Sequence, residues 1–473
     1  MKKFLWVIVL ILPSVLIGQT LTQKEMLADF DQLESIINNY YRAKDLVEQR
    51  TQTNVTEELK LLRQECYSIS SDSEFADLIR KSLNTLCDKH TSIANSSLVK
   101  MYVARFPDIS NYGNVKLADT LNADYYYNLA YNNVMSKMKC GIRAKYINGE
   151  YYNLRSFINK DIFVASGEQI TAINGIPVSK YVAQNKYTLY NLTWDEKNQN
   201  WYSELFWLNN KIIKDSVFCL TIGKKEIMLN CSVTVNRTEK LQEFSSTPLV
   251  TILDSNILFI RLPYMQNSKW YIEQVTNQYN SNIKKIIIDI RGNSGGQDKV
   301  WQDILSVLIS KPMLVKTNIS MNNNDAIRRI LPFYNISEPR IISSDTIFPA
   351  PNNINFKGKI YVLQDNDTYS SASSLSSLAF QMDELLLIGQ PTSYIGGSGL
   401  TPLIWRLDNS GIILRMPFTA DLSGGFINPY MNKVEIEIPQ NVETFFETIT
   451  ENQYDIEYLI NKDKLIEFVR KQY

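Results

Sequence analysis

The sequence predicts a multidomain protein with an α/β core behind a helical region and a strand-rich region. Three observations support this fold class: helical apolar spacing after residue 22, apolar–polar alternation from Tyr146 to about Ser232, and strands alternating with helices from Val250 onward. Strand–helix alternation is typical of a core with largely parallel strands. At 473 residues the chain is too long for one ordinary core. We predict a helical region at 19–105, a strand domain with flanking strands at 106–245 and the α/β core at 246–473.

Residues 1–18 have the pattern of a signal peptide. Lysines follow Met1, and the apolar run from Phe4 to Ile17 is short for a membrane span and ends at Gly18-Gln19. We therefore predict cleavage after Gly18 and export, either to the periplasm or by secretion, with no stable membrane insertion afterwards. An uncleaved N-terminal anchor is the alternative, and the absence of a nearby cysteine argues against a lipid anchor.

Charge and cysteine content exclude several classes of partner. Lysine plus arginine and aspartate plus glutamate number 49 each, so no overall field favours nucleic acid. The five cysteines leave at least one thiol unpaired, and none has metal-ligand spacing. Cys219 and Cys231 flank a turn at Gly223 as in a hairpin, a spacing that permits a cross-strand disulfide without requiring one. We predict no metal and no organic cofactor.

The only histidine follows the helical region. Thr22 and Glu25 form a capping-box pattern, two further amphipathic segments follow, and the last ends in Asp88-Lys-His-Thr91. A histidine at a helix end commonly interacts with the helix dipole. It is also the side chain best suited to act as a base near neutral pH, so His90 is a candidate base.

The stretch from Lys359 to Gly389 predicts a strand, a polar corner, a helix and a second strand. A cluster of serines stands where the helix begins, and residues 370 and 371 are its first two members. A hydroxyl at a helix N-terminus lies beside unpaired amides that can bind an oxyanion, as an acyl-transfer nucleophile requires. The alternative is that these serines only cap the helix.

A glycine-rich turn joins the strand at 286–290 to the next helix. It reads Arg291-Gly-Asn-Ser-Gly-Gly296, and such glycines allow close backbone approach and can present amides to an anion. A phosphate loop is the competing interpretation, but the lysine spacing of that motif is absent.

Two motifs in order resemble the tail-specific, or C-terminal processing, serine peptidases. Asp289-Ile-Arg-Gly-Asn-Ser-Gly-Gly296 resembles the family's Asp-x-Arg-x-Asn-Gly-Gly-Gly motif, and Val362–Ala372 resembles its nucleophile segment. Between the helical region and these motifs, Ser166–Val178 is similar to the strand and Asn-Gly turn of PDZ-like domains, which add a peptide end as a strand. The resemblance implies a core similar to the Clp protease and crotonase folds, and a peptide or protein substrate.

The resemblance assigns roles residue by residue. The nucleophile is assigned to Ser370, and Ser371 is the neighbouring alternative. The oxyanion hole is assigned to two backbone amides, that of Ser371 and that of either Gly295 or Gly296. The Ser/Lys branch has a lysine in the region that reads Gly389–Ser398 here, and that region contains none. In contrast, Asp88-Lys-His-Thr91 resembles the Asp-Gly-His-Thr element of the tricorn-like branch, which makes His90 the base.

A late glutamate orients the histidine in the relatives, and the matching stretch makes Glu435 or Glu437 the candidate. Alternate solvent-facing positions on an edge strand would give the same pattern. Ser294, Ser373 and Gln440 depart from the family's usual glycine, glutamate and aspartate. The resemblance thus implies an exported serine peptidase, and the alternative is a catalytically inactive exported protein of the same fold that binds peptides or lipids.

Overall fold

The computed structural model describes most of the chain after the predicted signal peptide. The described residues are 21–132, 142–159, 161–189, 192–203, 205–207, 217–230, 234–235, 247–322, 340–392, 401–423, 434–450 and 456–472. The predicted signal peptide, Cys140 and Cys231 lie outside these ranges. A search of the described residues finds no helix with the length and apolarity needed to cross a membrane.

The N-terminal region is helical, as predicted, and it extends beyond the predicted boundary at residue 105. Thr22 and Glu25 form the expected capping box, and Pro107, which suits the first turn of a helix, begins another helix after Phe106. A two-residue strand, β1 (Ser92–Ile93), separates the fourth and fifth helices. The helices are α1 (Gln23–Tyr40), α2 (Lys44–Thr51), α3 (Val55–Glu65), α4 (Asp72–Asn84), α5 (Ser96–Arg105), α6 (Pro107–Tyr112) and α7 (Thr120–Tyr127).

The described part of the middle region consists of short antiparallel strands and the helix α8 (Val178–Gln184). The Asn174-Gly175 turn has positive φ at both residues, 51° and 73°, as a two-residue hairpin turn requires, and it joins β6 to β7. The strands are β2 (Arg143–Ile147), β3 (Glu150–Asn153), β4 (Phe157–Asn159), β5 (Ile162–Val164), β6 (Gln169–Ile173), β7 (Ile176–Pro177), β8 (Leu192–Asp195), β9 (Asn200–Ser203), β10 (Leu205–Trp207), β11 (Val217–Ile222), β12 (Lys225–Asn230) and β13 (Thr234–Val235).

These strands form a main sheet in the order β10-β2-β3-β6-β11-β12, with β7 paired to β6. The hairpin predicted around Gly223 is present as β11 and β12. Its register places Cys219 opposite Met228, and Cys219 is a free thiol, so it does not form the bridge to Cys231 that the spacing permitted.

The C-terminal half contains the predicted α/β core. Its sheet has the order β14-β15-β16-β19-β20-β24, in which β14 is antiparallel and the other pairs are parallel. The strands are β14 (Leu249–Leu253), β15 (Ile257–Arg261), β16 (Lys285–Asp289), β17 (Met313–Met321), β18 (Arg340–Ile347), β19 (Lys359–Gln364), β20 (Leu385–Gly389), β21 (Leu403–Arg406), β22 (Ile413–Met416), β23 (Thr419–Asp421) and β24 (Ile436–Glu437). The helices are α9 (Ser268–Gln278), α10 (Asp298–Leu308), α11 (Ser371–Gln381), α12 (Val442–Thr450), α13 (Ile456–Asn461) and α14 (Lys464–Lys471).

Alternate residues of the central strands enter two apolar clusters, one on each face of the sheet. Ile286 and Ile288 pack with α9, α10 and α11, whereas Ile287 packs with residues of α13 and α14. Burial on both faces explains why β16 is a continuous apolar run. The carboxyl ends of the parallel strands β16 and β19 lie side by side, so the glycine-rich turn and the serine turn that follow them are neighbours.

One segment of the C-terminal half returns to the N-terminal region. Strands β21 and β22 form a three-stranded sheet with β1, and Ser92 pairs with Arg415 in its register. Leu403, Ile413 and Leu414 belong to the same apolar cluster as the N-terminal helices. Because β1 begins two residues after His90, this pairing fixes the position of the histidine loop against the C-terminal half.

Candidate active site

Ser370 occupies a strained backbone position between β19 and α11. Its φ of 56° and ψ of −129° are rarely adopted by a residue with a side chain, and its hydroxyl makes no capping hydrogen bond to the helix. Strained serines at a sharp strand-to-helix turn are typical of nucleophile elbows, where the turn exposes the hydroxyl. The structure therefore does not support a role for Ser370 as an ordinary N-cap.

Hydrogen bonds within the polar corner hold this turn. The Thr368 hydroxyl donates to the Asp365 carboxylate at 3.0 Å and also lies 3.2 Å from the Ile290 carbonyl. The same carboxylate oxygen accepts from the Gly292 amide at 2.9 Å. The Tyr369 amide donates to the Asn293 carbonyl at 2.9 Å. The glycine-rich turn and the serine turn are thus joined by hydrogen bonds into one unit.

The glycine-rich turn lies directly against the serine. Gly295 and Gly296 have φ values of 100° and 145°, a region that glycine adopts readily. The Gly295 amide donates to the Asn293 side chain at 2.8 Å. The Gly295 carbonyl accepts from the Met265 amide, and the Gln297 amide donates to the Met265 carbonyl. These two hydrogen bonds pair Gly296 with Met265 without using the Gly296 amide. The Gly295 amide thus already has an acceptor, and the role of either glycine as an oxyanion donor stays a prediction.

Ser371, the alternative nucleophile, differs from Ser370 in exposure. Its side-chain oxygen is buried and has no hydrogen-bond partner among the described residues, whereas Ser370 is half-buried. The backbone nitrogen of Ser371 begins α11 and would lie 3.0 Å from a Cβ placed on Gly295. The amide, rather than the hydroxyl, of Ser371 is therefore placed beside the glycine turn.

The structure brings His90 to the nucleophile turn. Its imidazole ring lies 4.7 Å from the ring of Tyr369, centroid to centroid, and Tyr369 directly precedes Ser370. The His90 amide donates to the Asp88 carboxylate at 2.8 Å. The loop that carries His90 and the turn that carries Ser370, far apart in the chain, are thus in contact through Tyr369.

Asp88 was quoted in the sequence motif without a role, and the structure shows it buried between three donors. One carboxylate oxygen accepts from the His90 amide and from the Tyr369 hydroxyl, both at 2.8 Å, and the other accepts from the Tyr41 hydroxyl at 3.1 Å. Burial raises the pKa of the Asp88 carboxyl to about 6, although these hydrogen bonds and Arg415 favour the charged form. No periodicity signals such a residue, because the two tyrosine hydroxyls that bind it are distant in sequence.

A second contact joins the histidine loop to the polar corner. The Lys89 ammonium lies 2.9 Å from the Asp367 carboxylate. Burial alone would raise the pKa of Asp367, but the positive charges of Lys89 and Lys145 outweigh it and lower that pKa. Lys145 is on β2, so residues of all three regions contribute charge near this corner.

Two arginines pair with Asp289, the aspartate that directly precedes the glycine-rich turn. Asp289 is fully buried and pairs with Arg291 at 2.7 Å and with Arg261 at 3.3 Å. Arg291 also contacts Asp463, the N-cap of α14, at 2.8 Å. Burial would raise the pKa of Asp289, but the two guanidinium groups overcome that effect and hold it below its usual value.

The two candidate glutamates lie at the edge strand of the core sheet. The Glu435 carboxylate accepts from the Leu387 amide at 2.7 Å, and Glu437 pairs with Gly389 at the end of β20. Both side chains are exposed. Glu435 thus has a structural contact of its own, and orientation of His90 by either glutamate stays a prediction.

Comparison with known proteins bears on the class of enzyme and on the family that the motifs predicted. The match to a protein-family model supports a serine-type peptidase. Residues 256–428 match Peptidase family S41, so this part of the chain is similar to the family of serine peptidases that the motifs predicted. No curated protein sequence matches the chain.

Solved structures share the fold over nearly the whole chain. Mature CPAF complexed with lactacystin is 14% identical, with a TM-score of 0.59 over 95% of this chain and 98% of that chain. A second structure of mature CPAF is 13% identical, with a TM-score of 0.56 over 95% and 97% of the two chains. The arrangement of helical region, strand region and α/β core is therefore shared with a known protein.

Proposed function

We propose that this chain is an exported peptidase that hydrolyses peptide bonds with Ser370 as nucleophile and His90 as base. The observation that carries this proposal is the position of Ser370, strained at the start of α11 and beside Gly295, with the His90 ring against the preceding tyrosine. Strain of about 1–3 kcal/mol at one residue usually persists only where the surrounding structure enforces it, and such residues cluster at active sites.

The proposed reaction needs groups of this chain alone. The Ser370 hydroxyl attacks the scissile carbonyl while the His90 imidazole takes its proton, which gives a tetrahedral oxyanion. The amides of Ser371 and Gly296 donate to that oxyanion. The imidazolium then protonates the leaving amine as the C–N bond breaks, and water, deprotonated by the same imidazole, releases the acyl group from Ser370. Among the described residues, no cluster of side chains that would hold a metal ion occurs.

The strand region is proposed to present the substrate. Its β6–β7 hairpin with the Asn174-Gly175 turn agrees with the PDZ-like interpretation of the sequence, and such domains bind a peptide end as an added strand. The basic and apolar N-terminal pattern supports export, with the mature protein in the periplasm or outside the cell.

A fluorophosphonate probe that reacts with activated serines tests the proposal. We expect one adduct by intact mass on the mature wild-type protein, no adduct on Ser370→Ala, and much slower labelling of His90→Ala. Ser371→Ala is the matched control, because it removes the adjacent hydroxyl and keeps the amide. Labelling that survives Ser370→Ala, or a folded wild type that never reacts, would contradict the assignment.

A further inference from the structure

The histidine loop and the nucleophile turn share one buried carboxylate. Asp88 is 8% exposed, and a single oxygen of its side chain accepts both the His90 amide and the Tyr369 hydroxyl at 2.8 Å. Hydrogen bonds to a buried carboxylate are stronger than those between neutral groups. The carboxylate therefore fixes the distance between the backbone at His90 and the phenol of Tyr369.

Tyr369 is itself fixed to the rest of the proposed site. Its side chain is 3% exposed, its amide donates to the Asn293 carbonyl at 2.9 Å, and its carbonyl accepts from Ala372 in the first turn of α11 at 3.2 Å. Its aromatic ring contacts the His90 ring. A shift of Tyr369 would therefore move Ser370 relative to both the imidazole and the glycine turn.

We propose that Tyr369 is a positioning residue, which uses its hydrogen bond to Asp88 to hold the His90 imidazole at its working distance from the Ser370 hydroxyl. This inference rests on the proposed function, since it concerns the geometry of that serine and histidine. The Lys89–Asp367 pair, 2.9 Å long, joins the same two loops through the residue between Asp88 and His90. Both polar contacts, together with the contact of the His90 and Tyr369 rings, connect loops that belong to different regions of the chain.

The chain offers a matched control on the same carboxylate. The Tyr41 hydroxyl donates to the other oxygen of Asp88 at 3.1 Å, and Tyr41 is also a buried phenol. Tyr41 lies at the end of α1, and its hydroxyl also contacts the Leu86 carbonyl. Replacing either tyrosine by phenylalanine removes one hydroxyl from Asp88, but only Tyr369 adjoins the nucleophile.

The test compares Tyr369→Phe and Tyr41→Phe by the kinetics of fluorophosphonate labelling, which separate the limiting rate of inactivation from probe affinity. We expect Tyr369→Phe to lower the limiting rate about tenfold at unchanged probe affinity, because small displacements of reacting groups are costly in rate. Tyr41→Phe should label like the wild type. In a His90→Ala background, Tyr369→Phe should have no further effect, because the base that it positions is gone.

Thermal unfolding of each variant is measured as well, because a lower labelling rate at an unchanged unfolding temperature cannot be due to a loss of stability. Equal labelling by the two phenylalanine variants, or a Tyr369→Phe effect that persists in full without His90, would overturn the inference. If Tyr369→Phe does not fold, Asp88→Asn is tested in its place. A labelling rate of Asp88→Asn equal to that of the wild type would then overturn the inference. The proposed function fails separately, if the wild type gives no adduct that depends on Ser370.

Discussion

Gly295 and Ser370 are in such close contact that no side chain fits between them. A Cβ on Gly295 would lie 2.5 Å from the Cβ of Ser370 and 3.0 Å from its hydroxyl oxygen. Both distances are below ordinary van der Waals contact, so even a methyl group at position 295 would displace the serine or the glycine turn. The glycine motif is therefore a packing requirement of the proposed nucleophile.

Gly295→Ala should abolish labelling of Ser370. The substitution combines backbone strain at a φ of 100° with the clash against Ser370, and we expect a loss of about 2 kcal/mol or more in unfolding free energy. Gly175→Ala is the matched control, because its φ is also positive, 73°, but nothing lies within 4 Å of the added Cβ. Denaturant unfolding and fluorophosphonate labelling measure both effects. A reactive Gly295→Ala protein would disprove the tight contact.

Ser370→Gly should be more stable than Ser370→Ala, although both lack the nucleophile. A φ of 56° with a ψ of −129° strains any residue that has a Cβ, and glycine relieves that strain. We expect a difference of about 1 kcal/mol in unfolding free energy, measured by urea denaturation. Equal stability of the two variants would mean that position 370 carries no backbone strain.

The buried Asp88 should make the stability of the wild type depend on pH. Burial raises its folded-state pKa to about 6 from an ordinary value of 3.8, so the folded state holds the proton more tightly than the unfolded chain does. This contribution to stability is fully present below pH 3.8 and is lost as the pH rises through 6. The charged and titratable groups around it are Tyr41, His90, Tyr369, Arg415 and Cys87.

Comparison of the wild type with Asp88→Asn isolates that carboxyl. The unfolding free energy of the wild type, minus that of the variant, should fall by at most about 3 kcal/mol between pH 4 and pH 7. Urea unfolding across this range provides the measurement. A difference that stays constant with pH would show that Asp88 titrates at its ordinary pKa.

Arg291→Met should destabilise the fold strongly, because Asp289 is fully buried and its one remaining ion pair would be the longer one to Arg261, beside the hydrogen bond from the backbone amide of residue 291. Removing one partner of a buried ion pair typically costs about 3–5 kcal/mol. Lys60→Met is the control, since the Lys60–Glu57 pair is exposed and its loss should hardly change the free energy of unfolding. Urea unfolding of the two variants, side by side, tests the contrast, and similar losses would contradict it.

Local patterns were sufficient to predict the elements that carry the proposed nucleophile. The apolar run before Gln364 and the helical spacing after Ser370 appear as β19 and α11, and the turn at Asn174-Gly175 appears as a hairpin. These features depend on residues close in sequence, which is what periodicity and turn chemistry report.

Contacts between distant segments were not predictable in this way. Tyr369 and Asp88 are 281 positions apart, and the sequence around neither residue predicts the hydrogen bond between them. Helices α6 and α7 lie beyond residue 105, the predicted end of the helical region, and the domain boundary itself stays a prediction. The return of β21 and β22 to the N-terminal region was also missed, since edge pairing with a two-residue strand leaves no signal in sequence.

The pairing of β1 with β22 also determines when the proposed site becomes complete. His90 and Ser370 are both translated before residues 413–416, which supply the strand that holds the histidine loop. A growing chain therefore possesses its proposed base and its proposed nucleophile before it possesses the strand that pairs with β1. Completion of the proposed site thus requires a segment that is synthesised after both residues.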